Sequence, residues 1–348
     1  MSPAAGLSKA AKGAVLLLVV LGSTAVLVRQ TTVAAPLAFD NRATFYSLSD
    51  GIEPYREFKV AWRPRIASTY LAARTVQLVK PLTPPNAGGE IELQYTIALW
   101  TGFWFILICG IYLTAFRDQS VYFYWPATAV ALLYGYIPDL FRTEWWNLPR
   151  VYPWDLPATA VFAGFLVLWI RRRYAWIVVL VALGTGFKET SLVLCVAFLA
   201  CDLPWRKRLQ LFALSLAAGF AVKLAIDLYT QVPIPFFTVE HGYAPANPGA
   251  LYLRKNIATF LDRPMLLLLA NAGTLLAFLI LPSANRDVRC FKLVAVAFVC
   301  GNLLFGLIAE VRIFFEMIPL SLYSIFGHSL GPWSPGTAEA YGERSSRL

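Results

Sequence analysis

Residues 171–208 read RRRYAWIVVLVALGTGFKETSLVLCVAFLACDLPWRKR, and the architecture of the chain turns on this stretch. An apolar run of 30 residues, 174–203, lies between Arg171-Arg172-Arg173 and Arg206-Lys207-Arg208. As one membrane helix it would put the two basic clusters on opposite faces, against the tendency of Lys and Arg to stay on the cytoplasmic side. Gly184-Thr185-Gly186 interrupts the run at its middle, and Lys188-Glu189 follows at once. The pattern predicts a hairpin of two short helices, 174–187 and 190–203, with Lys188 and Glu189 at its tip. At 1.5 Å per residue each arm reaches about 21 Å, so the tip is expected within the outer leaflet.

Composition supports a membrane setting. Of 348 residues 58% are hydrophobic and 14% charged, against about 25% charged in a soluble domain. Mean hydropathy is +0.59. A soluble globule, a disordered chain, a coiled coil and a disulfide scaffold are excluded. The net charge of +10 reads as cytoplasmic retention of basic residues rather than nucleic-acid binding, for which no motif is present.

Working outward, the apolar stretches are 13–28, 94–116, 121–137, 156–170, the two hairpin arms, 209–228, 265–281, 293–309 and 313–330. Ten crossings with the N-terminus inside place six basic clusters on the cytoplasmic face: Lys9/Lys12, Arg117, the two that flank the hairpin, Arg286/Arg289/Lys292 and Arg344/Arg347. The expected fold is therefore an all-α, polytopic transmembrane helical bundle of about ten spans. It forms a single integral membrane domain over 1–348, in a bacterial inner membrane. Residues 1–12 and 332–348 are expected as cytoplasmic tails, with 13–28 an uncleaved anchor. Two long outer loops are expected, 29–93 and 229–264. In the first, residues 66–79 carry apolar side chains at helical spacing and read as an amphipathic helix on the outer membrane surface.

The five cysteines imply no disulfide, and no metal-ligand spacing or nucleotide-binding motif is found. No cofactor is expected. Ionisable groups collect toward the outer half: Asp139, Glu144 and Asp155; Lys188 and Glu189; Lys223 and Asp227; Glu310, Arg312 and Glu316; and Asp40, Asp50, Arg63 and Arg65 in the first loop. Charges at membrane depth are costly and usually face a cavity or a partner, so a polar site opening outward is expected. Asp139, Asp155, Lys188 and Glu310 would line it. Each group also has a plainer reading. Lys223 and Asp227, four apart, suit a structural pair. Lys188-Glu189 could cap the hairpin, and Asp40 could be an ordinary loop carboxylate.

Several strings share one pattern: Asp40…Tyr46…Gly51…Trp62-Arg63-Pro64-Arg65 before the surface helix, Trp154-Asp155-Leu156-Pro157, Phe187-Lys188-Glu189-Thr190, and Glu310-Val311-Arg312-Ile313-Phe314. This resembles bacterial polytopic proteins similar to the GT-C glycosyltransferase superfamily. The resemblance implies a GT-C-like fold and transfer of a sugar from a polyprenyl-phosphate donor to a cell-envelope acceptor on the non-cytoplasmic face. In that family the first outer loop carries an essential acid. The resemblance therefore implies Asp40 as catalytic base, with Asp50 second and Glu189 the deeper alternative. Arg63, Arg65 and Arg312 would hold the donor phosphate, since the guanidinium fork pairs phosphate oxygens two at a time. The rival expectation is a non-catalytic carrier or a structural subunit of an envelope assembly, with Asp139, Lys188-Glu189 and Lys223-Asp227 forming an ion path.

Overall fold

The computed structural model of the chain describes residues 9–38, 66–84, 89–115, 121–134, 154–230, 253–262, 264, 271–282, 285–305 and 311–329. Every regular element among them is helical. The α-helices are α1 (Lys9–Ala38), α2 (Ile66–Val79), α3 (Gly89–Ala115), α4 (Val121–Tyr134), α5 (Asp155–Ile170), α6 (Tyr174–Phe187), α7 (Ala197–Ala200), α8 (Trp205–Thr230), α9 (Leu253–Asp262), α10 (Thr274–Ile280), α11 (Arg286–Phe305) and α12 (Ile318–Ser329). Segments Lys80–Leu82, Glu189–Val196 and Val311–Met317 are 3-10 helices.

The chain packs around α5. Its sequence is apolar on all sides, and 13 of its 16 residues are buried, as expected of a helix surrounded by others. α3, α6, α12 and the Val311–Met317 segment pack against it. α8 shows the opposite pattern. It is long and apolar enough to cross a membrane, yet only 17% of its most apolar 18-residue window is buried. Its buried stripe is Ser215, Gly219, Lys223 and Asp227, four apart each time, while Leu214, Phe220, Leu224 and Leu228 are exposed. α3 is the second helix long and apolar enough to cross, and it also exposes Leu99, Phe103 and Ile106. In α2, Ser68, Thr69, Ala72, Ala73 and Thr75 turn inward and Leu71 and Leu78 outward. Its small residues let it dock closely on α3 and α6. A helix over 66–79 is therefore present, with Val76, Val79 and its serine, threonine and alanine side chains against protein and Leu71, Gln77 and Leu78 outside.

The hairpin forms, and its return arm differs from the expected helix. Residues 190–203 fold as a 3-10 helix, Glu189–Val196, followed by the single turn α7. The 3-10 form keeps the two arms similar in length. The 14-residue α6 rises about 21 Å, whereas residues 189–200 as a pure α-helix would rise only about 18 Å. At about 2.0 Å per residue, the 3-10 segment brings the return arm to roughly 22 Å. Glycine permits the close fold-back. A Cβ on Gly184 would lie 2.7 Å from Val161 Cγ1 and 2.8 Å from Ser191 Oγ, and one on Gly219 of α8 would collide with Leu192.

Both arms end together. Arg172 donates to both carboxylate oxygens of Asp287, at 2.8 and 2.9 Å. The adjacent Arg286 donates to Asp202 Oδ1 at 2.6 Å and to the carbonyls of Ala200 and Cys201. Residues 172 and 202 thus meet neighbouring residues of α11. This end is basic, and its cations cap orphaned helix carbonyls. Arg171 reaches Thr114 O at 2.6 Å, Arg208 reaches Leu203 O and Leu199 O, and Lys292 reaches Leu279 O and Leu281 O. α5 closes in a Schellman turn, with Arg173 N–H on Leu168 O and Arg172 N–H on Trp169 O. Arg172 sits at φ 55°, where glycine is usual. Burial opposes its charge, but the hydrogen bonds and charge of Asp287 outweigh that and raise its pKa above the ordinary arginine value.

Two other expected spans are interrupted. Residues 265–281 are not one helix, because Asn271, Ala272 and Gly273 form a turn with φ between 53° and 78° and α10 begins only at Thr274. The last stretch, 313–330, opens as the 3-10 helix Val311–Met317 before α12.

Two outcomes follow from this packing. With the exposed Cys300 replaced by serine, single cysteines at Arg173 and Arg206 should react with a membrane-impermeant reagent from the same side. Labelling from opposite sides would eliminate the hairpin. Gly184→Ala should destabilise the fold by about 1–3 kcal/mol through overpacking, seen as a lower thermal midpoint in detergent. Gly110→Ala, inside α3 where nothing lies within 4 Å of the new Cβ, should hold or raise the midpoint, since alanine is the better helix former.

Candidate functional site

The hairpin tip is built by the end of α6. Lys188 N–H still bonds Gly184 O at 2.9 Å, but its own backbone is extended, which ends the helix. Ser191 N–H then bonds Lys188 O at 3.1 Å and starts the 3-10 turn. α2 covers the tip. Ser68 Oγ donates to Phe187 O at 2.9 Å, satisfying a C-terminal carbonyl of α6. Phe187 also stacks edge-on with Trp104 of α3, and Trp100 and Phe103 surround that indole.

Three segments distant in sequence converge on Lys188. Its ammonium lies 3.5 Å from Asp155 Oδ1 and pairs with Glu316 Oε1. The side chains are 5%, 1% and 1% exposed for Lys188, Asp155 and Glu316. Asp155 is in the first turn of α5 and Lys188 caps the C-terminus of α6, so each charge complements the dipole of its helix. Glu316 comes from the 3-10 helix Val311–Met317. Asn271 ties that segment to the turn before α10 by donating to Phe314 O at 2.6 Å.

The next residue, Glu189, serves a different cluster. Lys223 Nζ donates to both oxygens of Asp227 at 2.5 Å, and Glu189 lies within electrostatic reach of Asp227. Lys223 and Asp227 are buried. The dipeptide Lys188-Glu189 therefore joins two charge clusters, one against α5 and Val311–Met317, the other against α8. Ser191 Oγ and Thr190 Oγ1 are buried beside it without a hydrogen-bond partner. Buried ion pairs are poor stabilisers, because desolvation offsets much of their attraction. Their concentration at one point in an apolar bundle therefore marks a candidate site. Such a site offers carboxylates able to accept a proton and ammonium groups able to face an anion.

The structure brings together two residues expected to line the site, Asp155 and Lys188, and sets Glu189 beside them. Lys223 and Asp227 form the anticipated pair. Arg312 belongs to the same 3-10 helix as Glu316, and its side chain lies outside the described residues. Asp40, Asp50, Arg63, Arg65, Asp139 and Glu310 also lie outside them. Glu316 is the partner that sequence reasoning left out of the site. The signal was present: it is the one acid in the run Ile313-Phe314-Phe315-Glu316-Met317-Ile318, where a carboxylate needs a partner. Among the described residues no group of three or more His, Cys, Asp or Glu is placed to hold a metal. No protein-family model matches the chain, and neither a curated protein nor a solved structure matches it.

Lys188→Met should leave two buried carboxylates without their ammonium and destabilise the protein by about 3–5 kcal/mol. Adding Asp155→Asn and Glu316→Gln to it should restore much of the loss, since the uncompensated charges go too. Thermal unfolding of the purified protein in detergent measures both. A triple variant no more stable than the single one would contradict the ionic account.

Proposed function

We propose that this chain is a polytopic membrane glycosyltransferase of GT-C-like architecture, with about ten spans and both termini cytoplasmic, in a bacterial inner membrane. It would transfer a sugar from a polyprenyl-phosphate donor to a cell-envelope acceptor on the non-cytoplasmic face. One observation carries the reading: cations that cap helix ends occupy one end of the bundle, while the charges buried in pairs occupy the hairpin tip at the other. The polar inner stripe and apolar outer face of α8 support the bilayer setting, since lipid covers such a face without exposing it to water.

In the proposed reaction a carboxylate takes the proton of the acceptor hydroxyl. The acceptor oxygen bonds to the anomeric carbon, the bond from that carbon to the phosphate oxygen breaks, and polyprenyl phosphate leaves. Asp40 is the proposed base, with Asp50 second and Glu189 the alternative at the hairpin tip. Arg63, Arg65 and Arg312 would face the departing phosphate. The lipid bilayer and the lipid-linked donor are the implied partners.

A second reading, a carrier, draws support from the interrupted helices. Glu189–Val196, the turn at 271–273 and Val311–Met317 break what would be continuous spans, and discontinuous helices line substrate sites in many transporters.

The purified protein, given radiolabelled polyprenyl-phosphate sugars and an envelope extract as acceptor, should transfer label. Asp40→Asn should slow transfer by about 10²–10⁴-fold while leaving the fold intact, and Asp50→Asn should not. If Asp40→Asn keeps full activity and Glu189→Gln abolishes it, the base is at the hairpin tip. Absence of transfer from every donor, with counterflow of a labelled solute in proteoliposomes, would establish the carrier instead.

A further inference from the structure

α9, Leu253–Asp262, is a short helix inside a stretch whose sequence reads as an outer loop. At 100° per residue, Leu253, Ile257, Phe260 and Leu261 occupy an arc of about 100°. All four are exposed, Leu261 to 74%. The helix is nevertheless fixed. Asn256, buried, donates from Nδ2 to Leu303 O at 2.8 Å and to Asn302 O at 3.3 Å. Those carbonyls are among the last four of α11, which have no partner within their own helix. α9 is thus the C-terminal cap of α11, held on one side and presenting its apolar arc on another.

Its height in the bundle identifies what covers that arc. α11 begins at the basic end, with Arg286 and Asp287 in its ion pairs. From Arg286 to Asn302 it rises about 24 Å, close to the roughly 30 Å thickness of a hydrocarbon core. Along this length α11 exposes Leu293 and Val296. α9 sits at the far end of that length, held at Asn302 and Leu303, with the exposed Arg254 at the edge of its apolar arc.

We propose that α9 is an interfacial helix whose Leu253–Ile257–Phe260–Leu261 face docks into the acyl–headgroup boundary of the outer leaflet, with Arg254 at the phosphate level. The proposal rests on the membrane setting and is independent of sugar transfer. α9 holds the end of α11 at a fixed depth through Asn256.

The test uses the full chain with Cys300→Ser, reconstituted in nanodiscs of phosphatidylethanolamine and phosphatidylglycerol. Nitroxide labels are placed on single cysteines at Ile257, Leu261, Arg254 and, as the bilayer reference, Leu224 of α8. Labels at 257 and 261 should collide with dissolved oxygen several-fold more than with a water-soluble nickel chelate, as at 224, and the label at 254 should reverse that ratio. Labels at 257 and 261 that meet the nickel chelate, while 224 does not, overturn the proposal and spare the membrane reading. Shielding of 257 and 261 from both reagents means that protein covers the face, and also overturns it. A label at 224 in water overturns the membrane reading and this proposal with it.

Discussion

Lys188 is the point on which the arrangement depends. Its ammonium, buried between Asp155 and Glu316, joins the start of the central helix, the tip of the hairpin and the 3-10 segment before α12. Three segments far apart in sequence meet at one charge. Apolar packing between helices is nearly non-directional and tolerates small slips in depth. A lysine buried between two carboxylates does not, because a displaced partner leaves a charge in a low-dielectric interior. The ion pairs therefore fix the position of the tip, and the tip sets Glu189 within electrostatic reach of Asp227 on α8.

Helix ends carry most of the remaining specificity. At the basic end, Arg171, Arg208, Arg286 and Lys292 reach terminal carbonyls of other segments. The residues that bias orientation in a membrane thus also satisfy the backbone. At the tip, Ser68 and Lys188 do the same for α6, and Asn256 does so for α11. Where a helix stops inside an apolar bundle, each orphan carbonyl requires a donor, and these donors dictate which segments are neighbours.

The 3-10 helix Glu189–Val196 follows Lys188 directly and gives the return arm about the length of α6. The turn at Asn271–Gly273 and the segment Val311–Met317 adjoin each other through Asn271. The backbone is therefore irregular close to the buried charges.

How much was legible in the sequence follows from the range of the forces. The helices over 66–79, 156–170 and 174–187 were readable, because apolar runs, prolines and paired glycines act locally. So was the hairpin, since flanking arginines constrain orientation without any knowledge of packing. The Lys223–Asp227 pair was readable from spacing alone. Four apart on one helix, the two side chains meet whatever surrounds them. The 3-10 form of Glu189–Val196 was not readable, because apolar periodicity over eight residues does not separate it from an α-helix and its neighbours come from distant segments. Nor was the pairing of Lys188 with Glu316, 128 positions apart in the chain. The sequence by itself determined the helices over 66–79, 156–170 and 174–187, the end that collects cations and the Lys223–Asp227 pair. Only the tertiary structure decided which carboxylate meets which lysine, because that choice is made where separate segments share one buried point.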